Sequence, residues 1–191
     1  MPIASYSKPV LIYNPVAGAL RGNPGILQRT IDALRGGGCD ADPLPTTGPA
    51  QAGKMARDAI ARGAGLVIAL GGDGTINEVA QGMIPGRVPL AFLPGGTANV
   101  LCCETGVGTN LLRAAERLRA CREERISVGR FAPDSGDARY FLCMAGVGLD
   151  AAIVEVVSAP LKRATGKFAY WVGGFQQAFR RPNTRTCRWR V

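Results

Sequence analysis

Histidine is absent from the 191 residues of this chain. A Ser-His-Asp or Cys-His nucleophile, a His-ligated zinc and an imidazole general base are therefore excluded within it. Any acid or base working near pH 7 must be a carboxylate, Cys, Lys or Tyr, and carboxylates become the first suspects. The six cysteines, Cys39, Cys102, Cys103, Cys121, Cys143 and Cys187, lack Cys-x-x-Cys spacing. The adjacent Cys102 and Cys103 suit neither a metal clamp nor a structural disulfide, so the set reads as buried thiols of a reducing cytoplasm. The first ten residues lack both a basic n-region and an apolar h-region, which argues against a signal peptide. The longest uncharged stretch, Val88 to Cys103, is broken by Pro and Gly and falls short of a membrane span. The expected protein is cytoplasmic, soluble or peripheral to a membrane.

Acidic residues are missing from positions 160–191, which hold eight of the 23 Lys and Arg, whereas residues 1–159 are nearly neutral. What is present elsewhere is ordinary globular composition, 47% hydrophobic and 19% charged. The length suits one full domain, or one domain and part of a second. Pro9 to Tyr13 is a short apolar run closed by Asn14-Pro15, which predicts a buried strand ending in a turn. Ile26, Leu27, Ile31 and Leu34 keep helical spacing until Gly36-Gly37-Gly38. A strand near Cys39 to Pro45, a helix over Ala50 to Arg62, a strand over Leu66 to Leu70, a helix over Ile76 to Met83, a strand over Pro89 to Leu93 and a helix over Leu111 to Arg122 complete the alternation. That order implies right-handed crossovers and a parallel sheet covered on both faces.

After about Arg125 the grammar changes. Ile126, Val128 and the adjoining Gly129 to Phe131, then Tyr140 to Met144, read as two strands of an antiparallel hairpin across Pro133 to Asp137. Helices near 150–158 and 166–180 follow, then a strand near 184–191. The predicted organisation is an α/β domain over 1–123 and, over 124–191, the start of a β-rich second domain that the chain does not complete.

Gly71-Gly72-Asp73-Gly74-Thr75-Ile76-Asn77-Glu78 lies between an apolar strand and a helix. Glycines there allow positive φ and close approach of a ligand, and the next helix points unpaired N–H groups at it, which makes a phosphate cradle. Asp73 in its centre can act as a base or help hold Mg²⁺ beside a transferring phosphoryl group. Thr75 and Glu78 also have the spacing of a helix capping box, and the two roles can coexist. Pro94-Gly95-Gly96-Thr97-Ala98-Asn99 repeats the glycine turn after the fourth strand. With Asn14 to Gly18 and Thr46-Thr47-Gly48, four polar loops fall on one edge of the sheet, where open α/β folds bind ligands. Two look-alikes fail. Gly48-x₄-Gly53-Lys54 resembles a Walker A loop but has Met55 in place of the hydroxyl, and Gly146-x-Gly148-x-x-Ala151 lacks the acidic residue of a dinucleotide fingerprint.

Together, Asn-Pro-x-Ala-Gly, Gly-Gly-Asp-Gly-Thr-Ile-Asn-Glu and Leu-Pro-Gly-Gly-Thr-Ala-Asn, in this order, resemble the diacylglycerol kinase catalytic domain family, which includes bacterial lipid kinases and sphingosine and ceramide kinases. Met144 to Ala151 resembles the opening of that family's second domain. The resemblance implies an ATP site on the N-terminal domain, Mg²⁺, and a lipid hydroxyl that attacks the γ-phosphate. It assigns Asn14 and Gly18 to the first nucleotide loop and Thr46, with Thr47 as its neighbour, to the ATP-contacting threonine. It assigns Gly72, Asp73, Gly74, Thr75, Ile76, Asn77 and Glu78 to the phosphate loop, Gly96 and Thr97 to the second glycine loop, and Asp73 to the catalytic carboxylate. Many family members have Asp where Val100 follows Asn99, which removes a carboxylate that orders the loop. The family's general-base glutamate and structural Mg²⁺ site have no equivalent before Val191, so the chain is expected to be a fragment. The alternatives are a soluble-substrate kinase of the NAD kinase sort and a nucleotide-binding remnant without turnover.

Lys162, Arg163, Lys167, Arg180 and Arg181 flank Phe168, Tyr170, Trp171, Phe175 and Phe179. The charge suits an anionic membrane surface, while the aromatics at three- to four-residue spacing read as the core face of a helix. No nucleic-acid-binding motif is present.

Overall fold

The computed structural model describes residues 3–133 and 137–143. The tip of the predicted hairpin turn, the Gly146 motif, the later helices, the last strand and the basic aromatic stretch lie outside the described residues. Four strands, β1 (Val10–Tyr13), β2 (Asp42–Pro45), β3 (Val67–Gly71) and β4 (Leu90–Pro94), form a parallel sheet in the order β2-β1-β3-β4. The helices α1 (Ile26–Gly36), α2 (Ala52–Ala61) and α3 (Asp73–Met83) alternate with them. Then come α4 (Val100–Glu104), α5 (Leu111–Arg117) with a 3₁₀ turn, and the antiparallel hairpin β5 (Gly129–Phe131) and β6 (Arg139–Phe141).

Strand alternation splits the core into two layers. Leu11, Ile68 and Leu70 face α1 and α5, meeting Ile31, Leu34, Leu111 and Leu118. Val10, Ile12, Val67 and Ala69 face α2, α3 and α4, meeting Ala56, Ala59, Ile76, Val79 and Leu101. Each fully buried Leu or Ile contributes about 1.5–3 kcal/mol by leaving water, so a sheet buried on both faces explains the unbroken apolar run of β3. The small residues of α2 let it lie backbone to backbone on α3: a Cβ on Gly82 would sit 1.9 Å from the Gly53 carbonyl oxygen.

β2 is held by Asp42 N–H donating to the Pro9 carbonyl and Thr46 N–H donating to the Tyr13 carbonyl, both at 2.9 Å. Its even-numbered residues therefore face β1, while Pro43 and Pro45 turn their nitrogens the other way.

Several boundaries differ from expectation. α2 begins at Ala52 because Ala50 takes φ 60°, outside the helical region. α3 begins at Asp73 rather than Ile76, since Ile76 N–H already reaches the Gly72 carbonyl at 3.1 Å. Gly72 is its N-cap, Thr75 lies inside the first turn, and the expected capping box does not form. α4 was not anticipated. α5 passes into a 3₁₀ turn after Arg117 instead of running to Arg122. Cys103 and Cys121 are exposed, contrary to the reading of all the cysteines as buried. Residues 1–143 group as one compact unit. The hairpin therefore packs with the α/β layers, although its strand grammar places it after 124.

Candidate active site

All four strands end on one edge, at Tyr13, Pro45, Gly71 and Pro94. β1 connects through α1 to β2 on one side, and β3 through α3 to β4 on the other. The topological switch point thus lies between β1 and β3, which is where open α/β sheets carry ligands.

The half of this rim after β1 and β2 is open. Asn14 Oδ1 accepts from Val16 N–H at 3.0 Å, which fixes the turn after β1. Thr47 donates through N–H at 3.2 Å and through its hydroxyl at 2.6 Å to Gln51 Oε1, which fixes the turn before α2. Between these turns and the first two turns of α3 lies a cleft of about 330 Å³, lined by Asn14, Pro15, Val16, Thr46, Thr47, Gly48, Pro49, Thr75 and Glu78.

The half after β3 and β4 is closed. Gly95 N–H donates to the Gly71 carbonyl at 2.7 Å, and Ala19 N–H donates to the Gly95 carbonyl at 3.1 Å. A Cβ on Gly95 would lie 2.8 Å from Gly71 Cα, and one on Gly96 would lie 2.6 Å from Gly72 Cα. None of Gly71, Gly72, Gly74, Gly95 and Gly96 has positive φ. The expectation of left-handed glycines making room for a ligand is corrected here: Gly72 and Gly96 make room for each other. Gly74 alone faces open space.

Asn99, at φ 49°, orders the second loop by accepting from Gly96 N–H at 2.8 Å and donating to the Gly96 carbonyl at 2.9 Å. Asp73 Oδ1 accepts from Leu101 N–H at 3.2 Å at the start of α4. These two side chains order the loop that Val100 leaves without a carboxylate. Burial, and then the Asp73 charge, push the Cys102 thiol up to about 12, and the same two causes, followed by Glu104, raise Cys143. Both thiols are neutral and unreactive at physiological pH.

Of the residues singled out from the sequence, Asn14, Thr46, Thr75 and Glu78 come together on the cleft. Gly18 and Thr97 are exposed. The Ile76 side chain, 1% exposed, belongs to the core and presents nothing to a ligand. Asn77 turns away from the cleft and donates to the Tyr140 carbonyl at 3.3 Å. Gln81 donates to the same carbonyl at 2.6 Å and accepts from Tyr140 N–H at 3.0 Å. Sequence reasoning missed Gln51 and Gln81. For Gln81 the only trace is the four-residue spacing Asp73–Asn77–Gln81, which puts the set on one face of α3; Gln51 lies in the loop before α2 and has no such signal. The rejected Walker-like lysine, Lys54, pairs with exposed Asp58 at 2.7 Å.

These features define an open, parallel α/β protein with a cleft at the rim of its switch point. Residues 8–131 match the family model described as the diacylglycerol kinase catalytic domain. The chain is 30% identical over 169 residues to a diacylglycerol kinase of Bacillus subtilis (strain 168), covering 87% of this chain and 54% of that protein. It is 28% identical over 172 residues to one of Staphylococcus saprophyticus, covering 87% and 53%. A crystal structure of a diacylglycerol kinase from Bacillus anthracis (strain Sterne) superposes with TM-score 0.54 at 32% identity, covering 61% of this chain and 44% of that one. The chain belongs to the diacylglycerol kinase catalytic domain family, a family of lipid kinases, and spans about half the length of the curated relatives it matches. Among the described residues no helix is long and apolar enough to cross a membrane.

Proposed function

We propose that the rim binds ATP and that the full-length protein transfers the γ-phosphoryl group to the hydroxyl of diacylglycerol or a related membrane lipid. One observation carries the reading: Asn14, Thr46, Thr75 and Glu78, drawn from three separate segments, meet around one cleft at the head of α3. The N–H groups of Asp73, Gly74 and Thr75 precede the first intrahelical bond of α3, so they are the unpaired donors of its first turn and favour phosphate oxygens. Thr46 and Asn14 supply polar contacts on the facing wall, and Val16 and Pro49 supply apolar ones. Asp73 is the proposed catalytic carboxylate, held at the junction of α3 and α4.

Among the described residues no three Cys, Asp or Glu side chains gather as a metal site. Of the two α3 carboxylates Glu78 lines the cleft, and Asp73 lies on a different face of the helix. A Mg²⁺ that arrives with the nucleotide needs only one or two carboxylates and otherwise keeps water and phosphate oxygens. When bound it would neutralise charge on the β- and γ-phosphates. In the transfer, the lipid hydroxyl oxygen bonds to the γ-phosphorus, the bond to the β–γ bridging oxygen breaks, ADP leaves, and the hydroxyl proton passes to a base. Where the substrate lies in a bilayer, the protein meets it as a peripheral visitor to the cytoplasmic face.

The test is transfer of ³²P from γ-labelled ATP by the full-length protein, with diacylglycerol or sphingoid-base vesicles and with NAD as separate acceptors. Labelled phospholipid is the expected product. Labelled NADP without labelled lipid would replace this reading with a soluble-substrate kinase, and saturable ATP binding without either product would leave a nucleotide-binding remnant.

A further inference from the structure

α3 divides its labour by face. Thr75 and Glu78 line the cleft, whereas Asp73, Asn77 and Gln81 recur every four residues along another face. That second face carries backbone from elsewhere in the chain. Asp73 holds the N–H of Leu101, the second residue of α4, and Asn77 and Gln81 hold Tyr140 of β6. The Gln81 carboxamide meets both the N–H and the C=O of Tyr140, at 3.0 and 2.6 Å, as a neighbouring strand would. Both groups of Tyr140 therefore point away from β5, and its pairing with Arg130 is of the type without mutual hydrogen bonds. Gln81 thus takes the place of a third strand on the hairpin. Just beyond β6, Leu142 and Cys143 pack on the core layer that contains Leu101 and Cys102 of α4. Hairpin, α4 and the Asp73 carboxylate form one continuous assembly.

We infer that Gln81 is a positioning residue, whose carboxamide clasps the β5–β6 hairpin to the Asp73 face of α3 so that phosphoryl transfer depends on the clasp while nucleotide binding does not. The inference rests on the kinase reading above and adds to it the residue that couples the phosphate-binding helix to the hairpin. A carboxamide is suited to this because it offers one donor and one acceptor side by side. A carboxylate in its place has only acceptors and repels the Tyr140 carbonyl, while a protonated carboxyl restores the pair.

The deciding variant is Gln81→Glu in the full-length protein, with Gln81→Ala as the control that introduces no charge. At pH 8 we expect kcat for lipid phosphorylation to fall about 10- to 50-fold in both, with the Kd for ATP within about twofold of wild type, as for an interaction that acts beyond ground-state binding. Hydrogen exchange at the Tyr140 amide should quicken at least about tenfold in both. Lowering the pH towards 5.5 should narrow the deficit of Gln81→Glu relative to wild type and leave that of Gln81→Ala unchanged. Unchanged kcat alongside a freed Tyr140 amide would overturn the inference. So would ATP affinity lost in proportion to kcat. Absence of lipid phosphorylation by the wild type removes the underlying kinase reading and the inference with it, and is recognised because it appears before any variant is compared.

Discussion

The two halves of the rim are both built from loops that follow parallel strands, and they do opposite things. After β1 and β2 the loops stand apart and leave a cleft, and the side chains that bound it are Asn, Thr and Pro. After β3 and β4 the loops are glycine-rich, yet Gly71 and Gly72 lie against Gly95 and Gly96, and of these glycines Gly74 alone faces open space. Glycine at a strand end therefore marks close approach of a backbone, and the partner here is a second loop of the same protein. The closed half acts as a wall that holds the head of α3 in place, and the open half leaves the space.

Asp73 tests this division most severely, because it lies on the closed side and is assigned to the chemistry. Asp73→Asn keeps an acceptor for Leu101 N–H, so we expect the melting temperature to stay within about 3 °C and ATP affinity within about tenfold, while phosphoryl transfer falls more than about 100-fold. Steady-state kinetics with separate nucleotide-binding measurements would check it, and unchanged kcat would remove Asp73 from the mechanism. Gly95→Ala should do the reverse. Its Cβ would be driven to 2.8 Å from Gly71 Cα with backbone on both sides, at a cost of about 2–3 kcal/mol. In a chain of this size that lowers the thermal midpoint by about 5–10 °C, readable by calorimetry. The smallest effect belongs to Gly74→Ala, the rim glycine with nothing within 4 Å of the added methyl. It lies within α3 at ordinary φ, so the substitution should stabilise the fold by about 0.5 kcal/mol and at the same time weaken ATP binding. A stabilised variant with undiminished affinity would show that the nucleotide does not use this part of the helix.

Much of this arrangement was legible in the sequence, for physical reasons. Apolar runs closed by Asn-Pro or glycine located β1, β3 and β4, the alternation placed β2 between two helices, and that alternation fixed the parallel sense and the loop-bearing edge. Asn14, Thr46, Thr75 and Glu78 were identified from their place after strands and from the family resemblance, and they meet on the cleft. What failed depended on contacts distant in the chain. Nothing within Gly71 to Glu78 reveals that Gly95 will occupy the space beside it, so the sequence alone credits these glycines with a positive φ that none of them takes. Thr75 and Glu78 had capping-box spacing, but the Gly72 carbonyl captured Ile76 N–H and the helix started before them. Gln81 reads as one more polar residue on a helix surface until Tyr140, 59 positions away, is seen against it.

The two prolines of β2 have a consequence for the molecule in solution. Their nitrogens face outward from β2, the last strand on that side among the described residues. An unfolded or foreign segment aligning there would meet carbonyl oxygens but no amide hydrogens at Pro43 and Pro45, and could not register along the strand. Intermolecular stacking, the ordinary hazard of a β-strand edge, is thereby opposed at β2 by two missing protons.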